Sequence, residues 1–221
     1  MSPLILSIVF AVQILFALGA PTLLAFVDPT LLGGSLLDDA GGGLGEPLNV
    51  IISGLSSADV LTDDGFTNFA RAAGMSTECL GIHLGAPQSA NLGDGNGAVN
   101  QTVELRQDFG DAAAGTCLES LIGGNHLRMF RQNGILADTG ALFLAVSKEE
   151  PITESHTIVP DGYDIGRDLF AVAATGTTSF GGITYSTIAQ NITGLIAAGS
   201  NGLNHGIAID GIVTLLTVTI T

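Results

Sequence analysis

The centre of the chain, residues 125–148, constrains the fold most. Two extended runs, 125–132 and 140–148, flank a turn signal at Asn133-Gly134. Asn-Gly favours a tight hairpin because both residues tolerate positive φ. A long antiparallel hairpin is therefore predicted, and a sheet must be assembled around it. Residues 48–54, Leu-Asn-Val-Ile-Ile-Ser-Gly, form a short β-branched run stopped by glycine, which reads as a buried strand. A helix is predicted next. Asp63 serves as its cap, Phe66, Phe69, Ala70 and Ala73 recur at i, i+3, i+4 and i+7, and Gly74 ends it. Residues 79–84, 102–107, 181–190 and 212–221 read as further strands, and 115–122 as a helical turn. A second helix is expected from Ile165 to about Thr175, with Asp164 as its cap. The fold class is α/β or α+β: a single domain with a mixed, largely antiparallel sheet and two or so flanking helices.

The N-terminus has a different character. Residues 4–18 are apolar except for Ser7 and Gln13, and Ala17, Gly19 and Ala20 follow. That run is shorter than the roughly 20 residues a membrane span needs. It has the layout of a secretory signal over residues 1–19, cleaved after Gly19. Residues 20–47 lack periodicity and end in a glycine run, so they read as a Gly/Leu-rich linker or pro-segment. The folded domain is expected over 48–221. Secretion fits the two cysteines, Cys79 and Cys117, as a disulfide pair. It also fits two glycosylation sequons, Asn100-Gln-Thr and Asn191-Ile-Thr. The expected location is extracellular, with no membrane association after signal cleavage.

Charge narrows the function. The chain has 6 Lys+Arg against 21 Asp+Glu, a formal net charge of −15. That excludes a basic nucleic-acid-binding face and opposes docking on anionic lipid. Of the few cationic residues, Arg128, Arg131, Lys148, Arg167 and two of the four histidines, His126 and His156, fall within residues 125–168. Scarce positive charge gathered in one window suggests a place that holds an anion.

The order of motifs resembles the LssY C-terminal-like domain. The matching pieces are Asn49-Val-Ile-Ile-Ser-Gly with its following helix, His126-Leu-Arg128, Gly140-Ala-Leu-Phe-Leu-Ala-Val-Ser and His156-Thr-Ile. Asp164-Ile-Gly-Arg167-Asp168 and Ala208-Ile-Asp210-Gly211 complete the series. The chain is similar to small secreted basidiomycete proteins that carry this domain. The resemblance implies an α/β fold and a shared polar cluster, and it carries no activity with it. Ile209 stands where the family has threonine, and the loop 85–100 departs from the bacterial pattern.

On a strand, residues i and i+2 share a face, so His126 and Arg128 point the same way. Arg167 and Asp168 are expected in the first turn of the second helix, where free N–H groups attract anions. If hairpin and helix pack together, His126, Arg128, His156 and Arg167 converge on a phosphate, sulfate or carboxylate. The arginines would grip it bidentately, with Asp164 and Asp168 in support. The histidines, His126 and His156, are the catalytic candidates for phosphoester hydrolysis. Zinc on His126, His156 and Asp164 is a rival, but Arg128 and Arg167 beside a dication oppose it, and no metal or cofactor is expected. The bland alternative is an architectural network, with Arg167 paired to Asp161 or Asp164, in a non-catalytic structural or interaction protein. Asp94, in the loop 91–97, is a weak calcium candidate. His83 and His205 read as structural, and Glu149-Glu150 as a solvated strand end. No G-x-S-x-G elbow surrounds Ser155.

Overall fold

The computed structural model describes residues 24–81 and 86–221. The expected signal segment and His83 lie outside the described residues. The central hairpin is β6 (Gly124–Gly134) and β7 (Ala137–Glu149), which turn through Ile135 and Leu136 rather than at Asn133-Gly134. On one side β6 pairs with β5 (Val103–Gln107), which pairs with the two-residue β2 (Met75–Ser76). On the other side β7 pairs with β1 (Val50–Ile52), followed by β10 (Ile212–Ile220), β9 (Ile183–Thr193) and β8 (Gly176–Phe180). The β1–β10 pairing is parallel and the other six are antiparallel, giving a mixed eight-stranded sheet. β3 (Ser89–Asn91) and β4 (Ala98–Asn100) form a separate ribbon. The α+β class and the single domain hold.

Both faces of the central strands are covered, which explains why β1 and residues 141–146 of β7 are continuously apolar instead of alternating. Val50, Ile52, Leu127, Met129, Leu144 and Val146 meet α1 (Asp63–Ala72) through Phe66 and Phe69, and α3 (Gly162–Ala174) through Phe170. Gly166 lets α3 lie directly on β7. A Cβ there would come within 2.6 Å of the Ser147 carbonyl carbon. The opposite face, with Ile51, Phe130, Phe143 and Leu215, packs on Leu36, Leu48, Ala90 and Leu92.

Several expectations need correction. The segment read as a linker packs as part of the fold: Leu36 joins the core, and Asp38 and Glu46 are buried. Residues 79–81 form a 3-10 turn rather than a strand. The helix α2 (Gly115–Ile122) is present, and its Cys117 is bonded to Cys79. Thr62 rather than Asp63 caps α1, accepting from the Gly65 N–H at 3.0 Å. α3 begins at Gly162, with Asp161 at its N-cap position in the left-handed region, φ 57°. Arg167 therefore sits in the second turn, where the backbone N–H groups are already bonded, and the anion-cradle argument at that helix start no longer applies. Among the described residues no helix is long and apolar enough to cross a membrane.

Candidate functional site

The register of β5, β6 and β7 assembles the polar cluster. Arg106 faces His126, which faces Ser147, and Glu104 faces Arg128. Directly opposed residues share a face, so Glu104, Arg106, His126, Arg128 and Glu149 project from the same side of the sheet. Short-range cross-strand pairing thus builds a charged layer in a region otherwise sealed by apolar side chains.

His126 is fully buried between two acids. Its Nε2 is 3.0 Å from Glu104 Oε1, and its Nδ1 is 3.3 Å from Glu149 Oε1. The other oxygen of Glu149 accepts a hydrogen bond from Arg106 Nη1 at 2.9 Å and lies 3.6 Å from His156 Nδ1. Arg106 also reaches Glu119 at 3.1 Å and pairs with Glu78. One guanidinium is therefore wrapped by three carboxylates. Burial alone would raise Glu104 and Glu149. For Glu104 the His126 hydrogen bond and charge, helped by Arg128 and Arg106, outweigh burial and hold the carboxyl below its ordinary value. For Glu149 the charges of His126 and Arg106 do the same. Glu119 goes the other way. Burial, reinforced by Glu149 and Glu78 and only partly opposed by Arg106, pushes it up to about 7. Arg106 keeps its proton more firmly than usual, because the three carboxylates outweigh its own burial.

Arg128 turns away from this group to Glu46, donating from Nη1 to Oε2 at 2.9 Å. Asp38 lies beside that pair. Burial and the charge of Glu46 push it up to about 7.

Arg167 belongs to a separate cluster. Its guanidinium grips Asp210 bidentately, at 2.6 and 2.9 Å, and donates to Asp168 at 2.8 Å, to Asp164 at 3.2 Å and to the Ile212 carbonyl at 3.0 Å. Asp210 is held below its ordinary value: the Arg167 hydrogen bond outweighs the effect of burial. Burial and the charge of Asp210 raise Asp164. The structure thus joins His126 and His156 through Glu149, with Arg128 on the same sheet face, and places Arg167 in its own cluster. Two surface clefts of about 540 and 550 Å³ are lined by none of these four residues.

Other candidates find plain roles. Asp94 is buried and accepts from the backbone N–H groups of Asn96, Asn133 and Gly134, closing the loop onto the hairpin. Asn100 and Asn191 are both exposed. His205 sits at φ 59° in a 3-10 turn. Among the described residues no group of three or more His, Cys, Asp or Glu is arranged to hold a metal. The sequence reading missed Glu46, Glu104, Arg106 and Glu119, and it took Glu149 for a solvated strand end although it is buried. The signal was present: Glu104-x-Arg106 carries the same two-residue spacing as His126-x-Arg128 on a neighbouring strand.

No protein-family model, curated protein or solved structure matches this chain.

Proposed function

We propose that this chain is a non-catalytic extracellular structural or interaction domain whose histidines and arginines are architectural. The observation that carries this reading is the pairing of Arg106, Arg128, Arg167, His126 and His156 with carboxylates. Around Arg106, His126 and His156 stand Glu78, Glu104, Glu119 and Glu149. Even with both imidazoles protonated and Glu119, pushed up to about 7, neutral, the three remaining carboxylates match the three cations, so an incoming phosphate or sulfate would find no surplus positive charge in a buried place. Of the two arginines offered by the sequence as anion grips, Arg128 donates from Nη1 to Glu46 and Arg167 grips Asp210 bidentately. The extracellular location rests on the Cys79–Cys117 disulfide, which persists in oxidising compartments, and on the signal layout of residues 1–19. Membership of the LssY C-terminal-like family is part of the same reading. Its support is that Asp164, Arg167, Asp168 and Asp210, which carry the resemblance, close into one ion cluster.

The test is thermal stability against phosphate, sulfate and Zn²⁺ at constant ionic strength, on the wild type and on Arg128→Ala and Arg167→Ala. Equal melting temperatures with and without each ion support an architectural role. Stabilisation by an oxyanion that disappears in Arg128→Ala would overturn it and restore the anion-binding reading.

A further inference from the structure

The chain's charge is unevenly spread. Across residues 175–221 Asp210 is the sole Asp, Glu, Lys or Arg, although the whole chain carries 27 such side chains. This stretch contains β8, β9 and β10, at one end of the sheet, and Asp210 is tied to Arg167. β8 is the terminal strand there, and among the described residues no strand pairs with its outer edge.

The backbone direction along β8 follows from its hairpin. β8 and β9 are joined by Gly181 and Gly182 alone, both at positive φ, 58° and 81°. A two-residue turn with both central residues at positive φ is type I′, and its flanking pair is hydrogen-bonded. Phe180↔Ile183 is that pair, so by alternation Thr178 also bonds inward, to Tyr185. The N–H and C=O groups of Thr177 and Ser179 therefore point outward, and both residues are exposed. Edge strands are usually guarded by lysine, proline, a bulge or an inward charge. β8 reads Gly-Thr-Thr-Ser-Phe and has none of these. Its exposed face continues as hydroxyls across the sheet, with Thr177 opposite Ser186 and Ser186 opposite Thr219.

We propose that β8 is a self-association edge, where a second copy of this chain pairs antiparallel and extends the sheet across a two-fold axis. The axis passes through Thr178↔Thr178, so Thr177 of one copy meets Ser179 of the other, and the outward N–H and C=O groups of both residues satisfy each other. Such an isologous contact is self-complementary and closes on itself as a dimer. Charge decides the occupant. Two copies at −15 repel wherever acids face each other, and the neutral end of the sheet is where they approach at least electrostatic cost. The charged side chain seen against this strand is Arg71 of α1, whose guanidinium lies 5.7 Å from the centre of the Phe180 ring. The inference stands apart from the reading of the His/Arg cluster, because it uses none of those residues.

Sedimentation velocity on the full chain, over a concentration series through the micromolar range, tests this. A monomer–dimer equilibrium is expected, shifted toward dimer at high salt as the repulsion is screened. Ser179→Pro removes an outward donor and leaves the β8–β9 ladder intact. Thr177→Lys places a charge on the seam. Each should weaken dimerisation by roughly tenfold or more, with unchanged far-UV circular dichroism. Should one variant misfold, amide exchange on the wild type still decides: Thr177 and Ser179 should gain protection with concentration, while Thr178 does not. A single monomeric species at every concentration and salt would overturn the proposal, as would a dimer indifferent to both substitutions.

Discussion

Glu149 and Arg106 meet at 2.9 Å across three strands of the sheet, and the second oxygen of Glu149 lies 3.3 Å from His126. Glu149 thus bridges a guanidinium and an imidazole that are both cut off from solvent. Removing one partner of a buried ion pair leaves the others uncompensated and typically costs about 3–5 kcal/mol. Glu149→Ala should lower the unfolding free energy by that order, and Glu149→Gln by somewhat less, because the amide oxygen still accepts from Arg106. Urea unfolding at constant pH reads both values. A loss below about 1 kcal/mol for Glu149→Ala would mean that Glu119 and Glu78 already suffice for Arg106.

Asp38 and Glu119 give stability an unusual pH dependence. Both are held protonated up to about 7 by burial and by neighbouring acids. In the unfolded chain they ionise near 4. Between those values the native state binds more protons than the unfolded one, so stability falls as pH rises from about 4.5 to about 7. Glu104 and Glu149 are shifted downward, and their contribution is present above the unfolded pKa and lost as pH falls below about 4. The melting temperature should therefore peak in mildly acidic solution and decline toward neutrality. Glu119→Gln should flatten that decline, recovering on the order of 1–3 kcal/mol at pH 7 relative to its effect at pH 4.5. Melting curves across this range, for both proteins, check the sign directly.

The Cys79–Cys117 bond closes a 38-residue separation and ties α2 to the 3-10 turn at residues 79–81. α2 is only eight residues long and has no side-chain cap, so it is too short to persist on its own. In the chain-entropy account, a loop of this size contributes roughly 4 kcal/mol. Cys79→Ser with Cys117→Ser should lose about 2–4 kcal/mol, and amide exchange should localise the early loosening to α2. Addition of reductant to the wild type should reproduce the loss, while the double variant should be indifferent to it.

Much of this fold was legible because local rules decided it. The i, i+3, i+4, i+7 pattern of Phe66, Phe69, Ala70 and Ala73 marks α1, and three of these four residues are fully buried. The hairpin follows from two extended runs on either side of a turn signal, and the alternation of Thr with Val and Ile over residues 217–221 marks the end of β10. What escaped the sequence was long-range. Nothing local to Leu36, Asp38 or Glu46 says that a glycine-rich stretch will cover a sheet face and supply the partner of Arg128, 82 residues away. The polar cluster escaped for the same reason. His126 and Arg128 were visible on one strand, but whether they face an anion or an acid depends on the registers of β5 and β7 beside them. α3 began three residues earlier than expected because Asp161 takes the left-handed conformation at its start, and that moved Arg167 away from the helix terminus.

Arg167 offers the sharpest test of an architectural arginine. It is nearly fully buried, and its fork is matched to Asp210, whose N–H and Oδ1 in turn hold Asp164 and the Ile212 N–H. It therefore fastens α3 to the start of β10. Lysine preserves the charge but cannot supply two parallel donors to one carboxylate. Arg167→Lys should cost roughly 1–3 kcal/mol, most of what Arg167→Ala costs. A double-mutant cycle with Asp210→Asn should return a coupling of at least about 1 kcal/mol. The partners Asp168 and Asp210 are partly exposed, so salt should erode some of that coupling. Equal stability of Arg167→Lys and the wild type would instead mean that a point charge suffices, and that the bidentate geometry contributes nothing to holding helix and strand together.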